Sequence, residues 1–135
     1  MTIKKTILCV DDDHSLSIHK VTLETRGYRV MTCNSALAAM SVLDNAAVDL
    51  VLSSLELPDA NIAELVWRVK STAPTTPVVL LCPPRRALYT EPDADLMLRK
   101  GSYAPAELLD SIRILLGRRR GPRRTGTLTP AVKAC

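Results

Sequence analysis

Ile7-Leu8-Cys9-Val10-Asp11-Asp12-Asp13 is the stretch whose reading decides the fold. A short unbroken apolar run bounded by acids reads as a strand buried on both faces, delivering carboxylates at its end. Two later stretches follow the same plan. Leu50-Val51-Leu52 leads into Ser53-Ser54-Leu55-Glu56-Leu57-Pro58-Asp59, and Leu96-Met97-Leu98-Arg99 ends on Lys100. Acids after the first strand, a polar turn after the third and a lysine after the last all fall at strand ends.

Working outward, helical and extended patterns alternate, which argues for a parallel sheet with helices on both faces. Strands are expected at about Thr6–Val10, Arg29–Cys33, Leu50–Ser53, Val78–Cys82 and Asp95–Arg99. The first helix is predicted from about Ser15 to Thr25, stopped by Gly27. Asn34 or Ser35 caps the second, which runs to about Leu43 with Leu37, Met40 and Leu43 on one side. The third starts near Asn61 and sets Ile62, Leu65, Val66 and Val69 on one face. The final helix starts at Pro105, a residue suited to a first turn, and carries Leu108, Leu109, Ile112, Leu115 and Leu116. Between Pro83 and Asp93 there is room only for a shortened or irregular helix. Pro83, Pro84 and Pro92 restrict it, and Arg85–Tyr89 supplies one or two turns at most.

The chain has 135 residues, 47% of them apolar, which suits one domain with a core and excludes wholesale disorder. Its net charge of +4 is unevenly spread. Arg118, Arg119, Arg120, Arg123, Arg124 and Lys133 all follow Gly117 with no acid among them, so residues 1–117 carry −2. One folded domain at 1–117 and a basic, disordered tail at 118–135 are the expected parts. The tail arginines could meet phosphates of nucleic acid or an anionic membrane, but no aromatic residues interleave to stack bases, so a solubilising terminus or linker is favoured. No apolar run reaches the length of a membrane span and no signal peptide is legible, so a cytoplasmic location is expected. Cys9, Cys33, Cys82 and Cys135 lack metal-ligand spacing. Cys9 and Cys82 read as buried structural thiols, and Cys135 as the one reactive thiol. Trp67 and Tyr28 read as packing or helix-end residues.

The order of elements, the acids of Val10-Asp11-Asp12-Asp13 and the strand-end Lys100 resemble the receiver domain of bacterial two-component response regulators. That resemblance implies a flavodoxin-like, doubly wound five-stranded parallel sheet in order 2-1-3-4-5. Its ligand site lies beyond the carboxyl ends of strands one and three, where strand order reverses. The acidic pair maps onto Asp11 and Asp12, and Glu56 stands in the turn where it could add a third ligand for Mg²⁺, bound weakly or lost. A solvated helix N-terminus is the plainer account of the same acids. The phosphoacceptor position, an aspartate in the family, falls on Ser54. A hydroxyl without a neighbouring base is a poor nucleophile and cannot form an acyl phosphate.

Ser53 should point away from Ser54 by strand alternation, and Glu56 would have to fold back to replace it. Other switch positions depart as well. Cys82 stands where a Thr or Ser hydroxyl is usual, Met97 replaces the usual aromatic, and Gly101 follows Lys100 in place of proline. Lys100 is expected to bridge to Asp11 or Asp12. The expected function is a receiver-like module of phosphorelay signalling that binds a protein partner without phosphorylation and is not an enzyme. Phosphotransfer through a non-standard acceptor is one alternative; nucleic-acid association through the basic tail is another.

Overall fold

The structure, a computed structural model, describes residues 4–59, 62–84 and 91–117. Five strands, β1 (Thr6–Val10), β2 (Arg29–Cys33), β3 (Leu50–Ser54), β4 (Val78–Cys82) and β5 (Leu96–Arg99), form one sheet in the order β2-β1-β3-β4-β5. Every pairing is parallel. The helices are α1 (Asp13–Glu24), α2 (Ala36–Asn45), α3 (Ile62–Thr72) and α4 (Pro105–Leu116). Parallel neighbours need crossovers, and helices supplying those crossovers cover both faces of the sheet. That is why β1, β3 and β4 are buried at every residue and are apolar throughout except at Thr6, Ser53 and Ser54.

Strand alternation divides the core in two. Leu8, Val10, Val51, Leu80 and Met97 face α2 and α3, packing on Ala39, Met40, Leu65 and Val69. Ile7, Cys9, Leu52, Leu81 and Leu96 face the other way, onto Leu16 and Leu23 of α1 and Leu108, Ile112 and Leu115 of α4. Because β1 pairs with both β2 and β3, strand order reverses beside it, opening a crevice at the carboxyl ends. Register places Val10 opposite Ser53, so Asp11 and Ser54 emerge at the same level.

Several boundaries move for identifiable reasons. Helix α1 starts before Ser15 because the Asp12 carboxylate accepts the Ser15 N–H at 2.8 Å and so caps the helix two residues earlier. It ends where predicted, with Gly27 at φ +90° and the Tyr28 N–H returning to the Leu23 carbonyl. In α2, capped by Ser35, the buried stripe is Ala36, Ala39 and Met40. Leu37, expected on the same side as Met40 and Leu43, is 68% exposed, whereas Met40 is buried. Trp67, expected as a packing or helix-end residue, lies in the middle of α3 and is 64% exposed. Strand β5 starts at Leu96 because the Asp95 carboxylate is engaged with the Val78 N–H and Lys70 at 2.7 Å each. The expected start of α3 at Asn61, the Arg85–Tyr89 helical turn and the tail arginines Arg118, Arg119, Arg120, Arg123 and Arg124 lie outside the described residues, as does Cys135.

Candidate functional site at the carboxyl ends of β1, β3 and β5

Asp11 leaves β1 into the crevice and is only 2% exposed. An ionised carboxylate so deep must be neutralised and hydrogen-bonded. Three groups do this. The Asp12 N–H donates to Oδ1 at 2.8 Å, the Lys100 Nζ donates to the same oxygen at 3.0 Å, and the His19 Nε2 lies 3.2 Å from Oδ2. A carboxylate only accepts, so the shared proton of that last contact sits on the His19 Nε2. Burial works to raise the Asp11 pKa, but the hydrogen bonds from His19, Asp12 and Lys100, with the lysine's charge, outweigh it and hold the group below the usual carboxylate range. The Asp11 charge is felt nearby. Burial, and then the field of Asp11, pushes the Cys9 thiol up to about 12 and also raises the Tyr103 phenol.

Lys100 reaches Asp11 because β5 ends beside β4: its N–H bonds the Cys82 carbonyl at 2.8 Å, and the next residue, Gly101, turns the chain away at φ +84°. Asp12 is exposed and its side chain serves helix α1, Oδ1 accepting the Ser15 N–H and Oδ2 the Ser15 hydroxyl at 3.2 Å. Ser54 closes β3, 1% exposed, and its hydroxyl oxygen accepts the Glu56 N–H at 3.1 Å. Neighbouring Ser53 is equally buried and donates its hydroxyl to the Ser54 carbonyl at 3.0 Å. The Glu56 side chain is exposed, on a shallow cavity of about 310 Å³ shared with Asp12, Asp13, Asn34, Ser35 and Pro58.

Asp11, Asp12 and Glu56, the expected metal ligands, are thus not gathered around one point. Among the described residues no group of three or more His, Cys, Asp or Glu side chains could hold a metal ion. Both Asp11 oxygens and both Asp12 oxygens accept hydrogen bonds within the chain, so a cation placed on either carboxylate would compete with those donors. Cys82, expected as a buried structural thiol, is fully buried, and Cys9 and Cys33 are free cysteines among the described residues. Met97, 1% exposed, packs in the α2–α3 half of the core, and its sulfur accepts the Glu91 N–H at 3.3 Å.

One contributor escaped the sequence reading. His19 lies on the inner face of α1 between Leu16 and Leu23. A polar residue on that apolar stripe, eight positions after a strand-end acid, was the available signal.

The profile of the response regulator receiver domain matches residues 7–113. The chain belongs to this receiver family. The receiver is 30% identical over 99 residues to the transcriptional regulatory protein GlrR of Escherichia coli (strain K12), a match covering 73% of this chain and 21% of that one. It is 32% identical over 75 residues to the sensor histidine kinase RcsC of Salmonella typhimurium, covering 54% of this chain and 8% of that one. The receiver therefore spans about a fifth or less of the length of these relatives. Among solved structures, it resembles the signal receiver domain of an HD domain-containing protein from Pseudomonas fluorescens Pf-5, with 26% identity, a TM-score of 0.75, and 84% and 95% of the two chains covered. The CheY-like receiver protein of Methanospirillum hungatei JF-1 gives 26% identity and a TM-score of 0.74, covering 84% and 94%. Receivers are signalling modules that act through protein partners. No helix among the described residues is long and apolar enough to cross a membrane.

Proposed function

We propose that this receiver transmits signals as a protein-interaction module without being phosphorylated. The observation that carries the reading is Ser54 at the end of β3. The family's phosphoryl acceptor there is a carboxylate. In its place stands a buried hydroxyl that accepts the Glu56 N–H, and no His, Asp or Glu side chain hydrogen-bonds to it among the described residues. Without a base it is a weak nucleophile, and it cannot give an acyl phosphate. The rest of the switch agrees. Lys100, which would neutralise a transferring phosphoryl group, is committed to Asp11, and Cys82 offers no hydroxyl at the end of β4.

Binding then proceeds through a surface held in one state, with the Asp11 corner supplying stability rather than chemistry. The working unit is residues 1–117, with 118–135 as an appended basic segment, acting in the cytoplasm on a signalling protein and not as an enzyme. The test is incubation of the whole chain with acetyl phosphate and Mg²⁺, followed by intact mass spectrometry, alongside a receiver that keeps the acceptor aspartate. The control should gain a phosphoryl group and this chain should not. A hydroxylamine-labile adduct on the natural chain would mean that a carboxylate elsewhere has taken the acceptor's place, and the reading would be wrong.

A further inference from the structure

The position of His19 is costly unless it has a task. On the inner stripe of α1 it displaces an apolar side chain, and it is 9% exposed. Behind it, a cavity of about 210 Å³ between α1 and α4 is lined mainly by apolar groups, among them Ile18, Leu23, Tyr103, Pro105 and Leu108. The imidazole's ionic neighbour is therefore on one side, at Asp11. A carboxylate 2% exposed needs positive charge or strong donors on both oxygens. In a metal-dependent corner a divalent cation would supply much of that. Here Lys100 takes Oδ1 and His19 takes Oδ2.

We infer that His19 is a metal-excluding residue: together with Lys100 it delivers from within the chain the stabilisation that a cation would bring to Asp11, and so closes the corner to Mg²⁺. This rests on the phosphorylation-independent reading and extends it to the ion. The physical reasons are two. To coordinate Asp11 through Oδ2, Mg²⁺ must first break the His19 contact, leaving a buried imidazole N–H without its acceptor. The imidazole cannot serve as a replacement ligand of the right kind, because Mg²⁺ selects oxygen donors in strict octahedral geometry. Loss of the carboxylate at Ser54 removes one ligand; His19 withdraws a second.

This separates two explanations of a metal-free corner. If Ser54 alone were responsible, restoring a carboxylate there would restore binding. If His19 also excludes metal, it must be removed as well. The experiment measures Mn²⁺ binding by the loss of free-ion EPR signal, and Mg²⁺ binding by calorimetry, on the full chain. The natural protein, Ser54→Asp, and Ser54→Asp combined with His19→Leu are compared. The natural protein should show no saturable binding, and the double variant should bind at least about tenfold more tightly than Ser54→Asp alone, a difference of about 1.4 kcal/mol. His19→Met in the same background, with its flexible side chain filling the same space, keeps the comparison decidable if the leucine variant does not fold. Equal affinities with and without His19 would overturn the inference, as would saturable binding by the natural protein. Neither result bears on whether the natural chain accepts a phosphoryl group, so the two readings fail separately.

Discussion

Replacing Lys100 with methionine tests whether the strand-end lysine is a structural counter-ion. The substitution keeps most of the aliphatic stem and removes the charge. In the folded protein the amine is 3.0 Å from a carboxylate oxygen, with side-chain exposures of 26% for the lysine and 2% for the aspartate. At an effective dielectric of about 20, unit charges at that distance attract by about 5 kcal/mol. Desolvating the lysine and fixing its side chain offset more than half of this, since long side chains carry about 2 kcal/mol of rotamer entropy. The Asp12 N–H and His19 remain on the carboxylate after substitution, so Asp11 is not stripped. The expected loss is about 2 kcal/mol, below the 3–5 kcal/mol seen when a fully buried pair loses one member.

Urea unfolding followed by far-ultraviolet circular dichroism is the appropriate assay; Trp67, mostly in water already, would report unfolding poorly. A double-mutant cycle with Asp11→Asn isolates the pair from the individual costs. The coupling should reach about 1.5–2 kcal/mol. The exposed Lys20–Glu24 pair, at 2.8 Å with exposures of 52% and 45%, provides an internal standard. Its coupling should be no more than about 0.5 kcal/mol despite the shorter distance. If the two couplings are equal, burial does not strengthen the Lys100–Asp11 contact and the reasoning about the corner fails.

Asp11 also sets an acid limit. Its folded pKa is depressed, so its contribution is fully present above the unfolded value of about 3.9 and is lost as pH falls through the lower folded value. The stability advantage of the natural chain over Asp11→Asn should therefore shrink below roughly pH 4 in urea titrations, and an advantage that grows there would contradict the sign. Asp59, from the loop after β3, accepts the Ala36 and Leu37 N–H groups at 3.1 and 2.9 Å and thereby caps α2 from outside. Asp59→Ala should cost about 1 kcal/mol, measurable as a lower urea midpoint with an unchanged slope. Gly101→Pro, which would recreate the lysine–proline order usual in the family, should destabilise by about 3 kcal/mol, because φ +84° is closed to proline. A melting temperature equal to the natural chain's would show that the loop after β5 has no fixed conformation.

The sheet was legible because it is a problem of burial alone. Runs such as Ile7–Val10 and Val78–Leu81 have no polar interruption, which only strands covered on both faces can tolerate. Leu37 was misread because helical spacing gives a stripe but not its direction, and in α2 the small residues Ala36 and Ala39 face the sheet. Strand ends made the Lys100 bridge to Asp11 one of the expected pairings, but the rest of that corner's wiring was not legible. Pairing of His19 with Asp11, or of Asp59 with the start of α2, depends on three-dimensional placement that spacing along the chain does not encode.

That wiring explains why one substitution has consequences beyond its own position. A lysine at the end of β5 points toward the carboxyl ends of β1 and β3, and it needs an anion there. With Ser54 in place of a carboxylate, the available anions are Asp11 and Asp12, and Asp12 is already bound to Ser15 as the cap of α1. Lys100 is thereby directed to Asp11, whose other oxygen belongs to His19. Two donors on one buried acid satisfy both of its oxygens from within the chain, and on the proposed reading this keeps the corner in one state without phosphate or metal. Ser54→Asp should then do more than add an acceptor. The new carboxylate would compete for Lys100, leaving Asp11 to His19 and the Asp12 N–H, and the Lys100–Asp11 coupling measured in that background should fall well below its value in the natural chain. An unchanged coupling would show that the lysine's choice of Asp11 is made by the backbone after β5 and not by the residue at the end of β3.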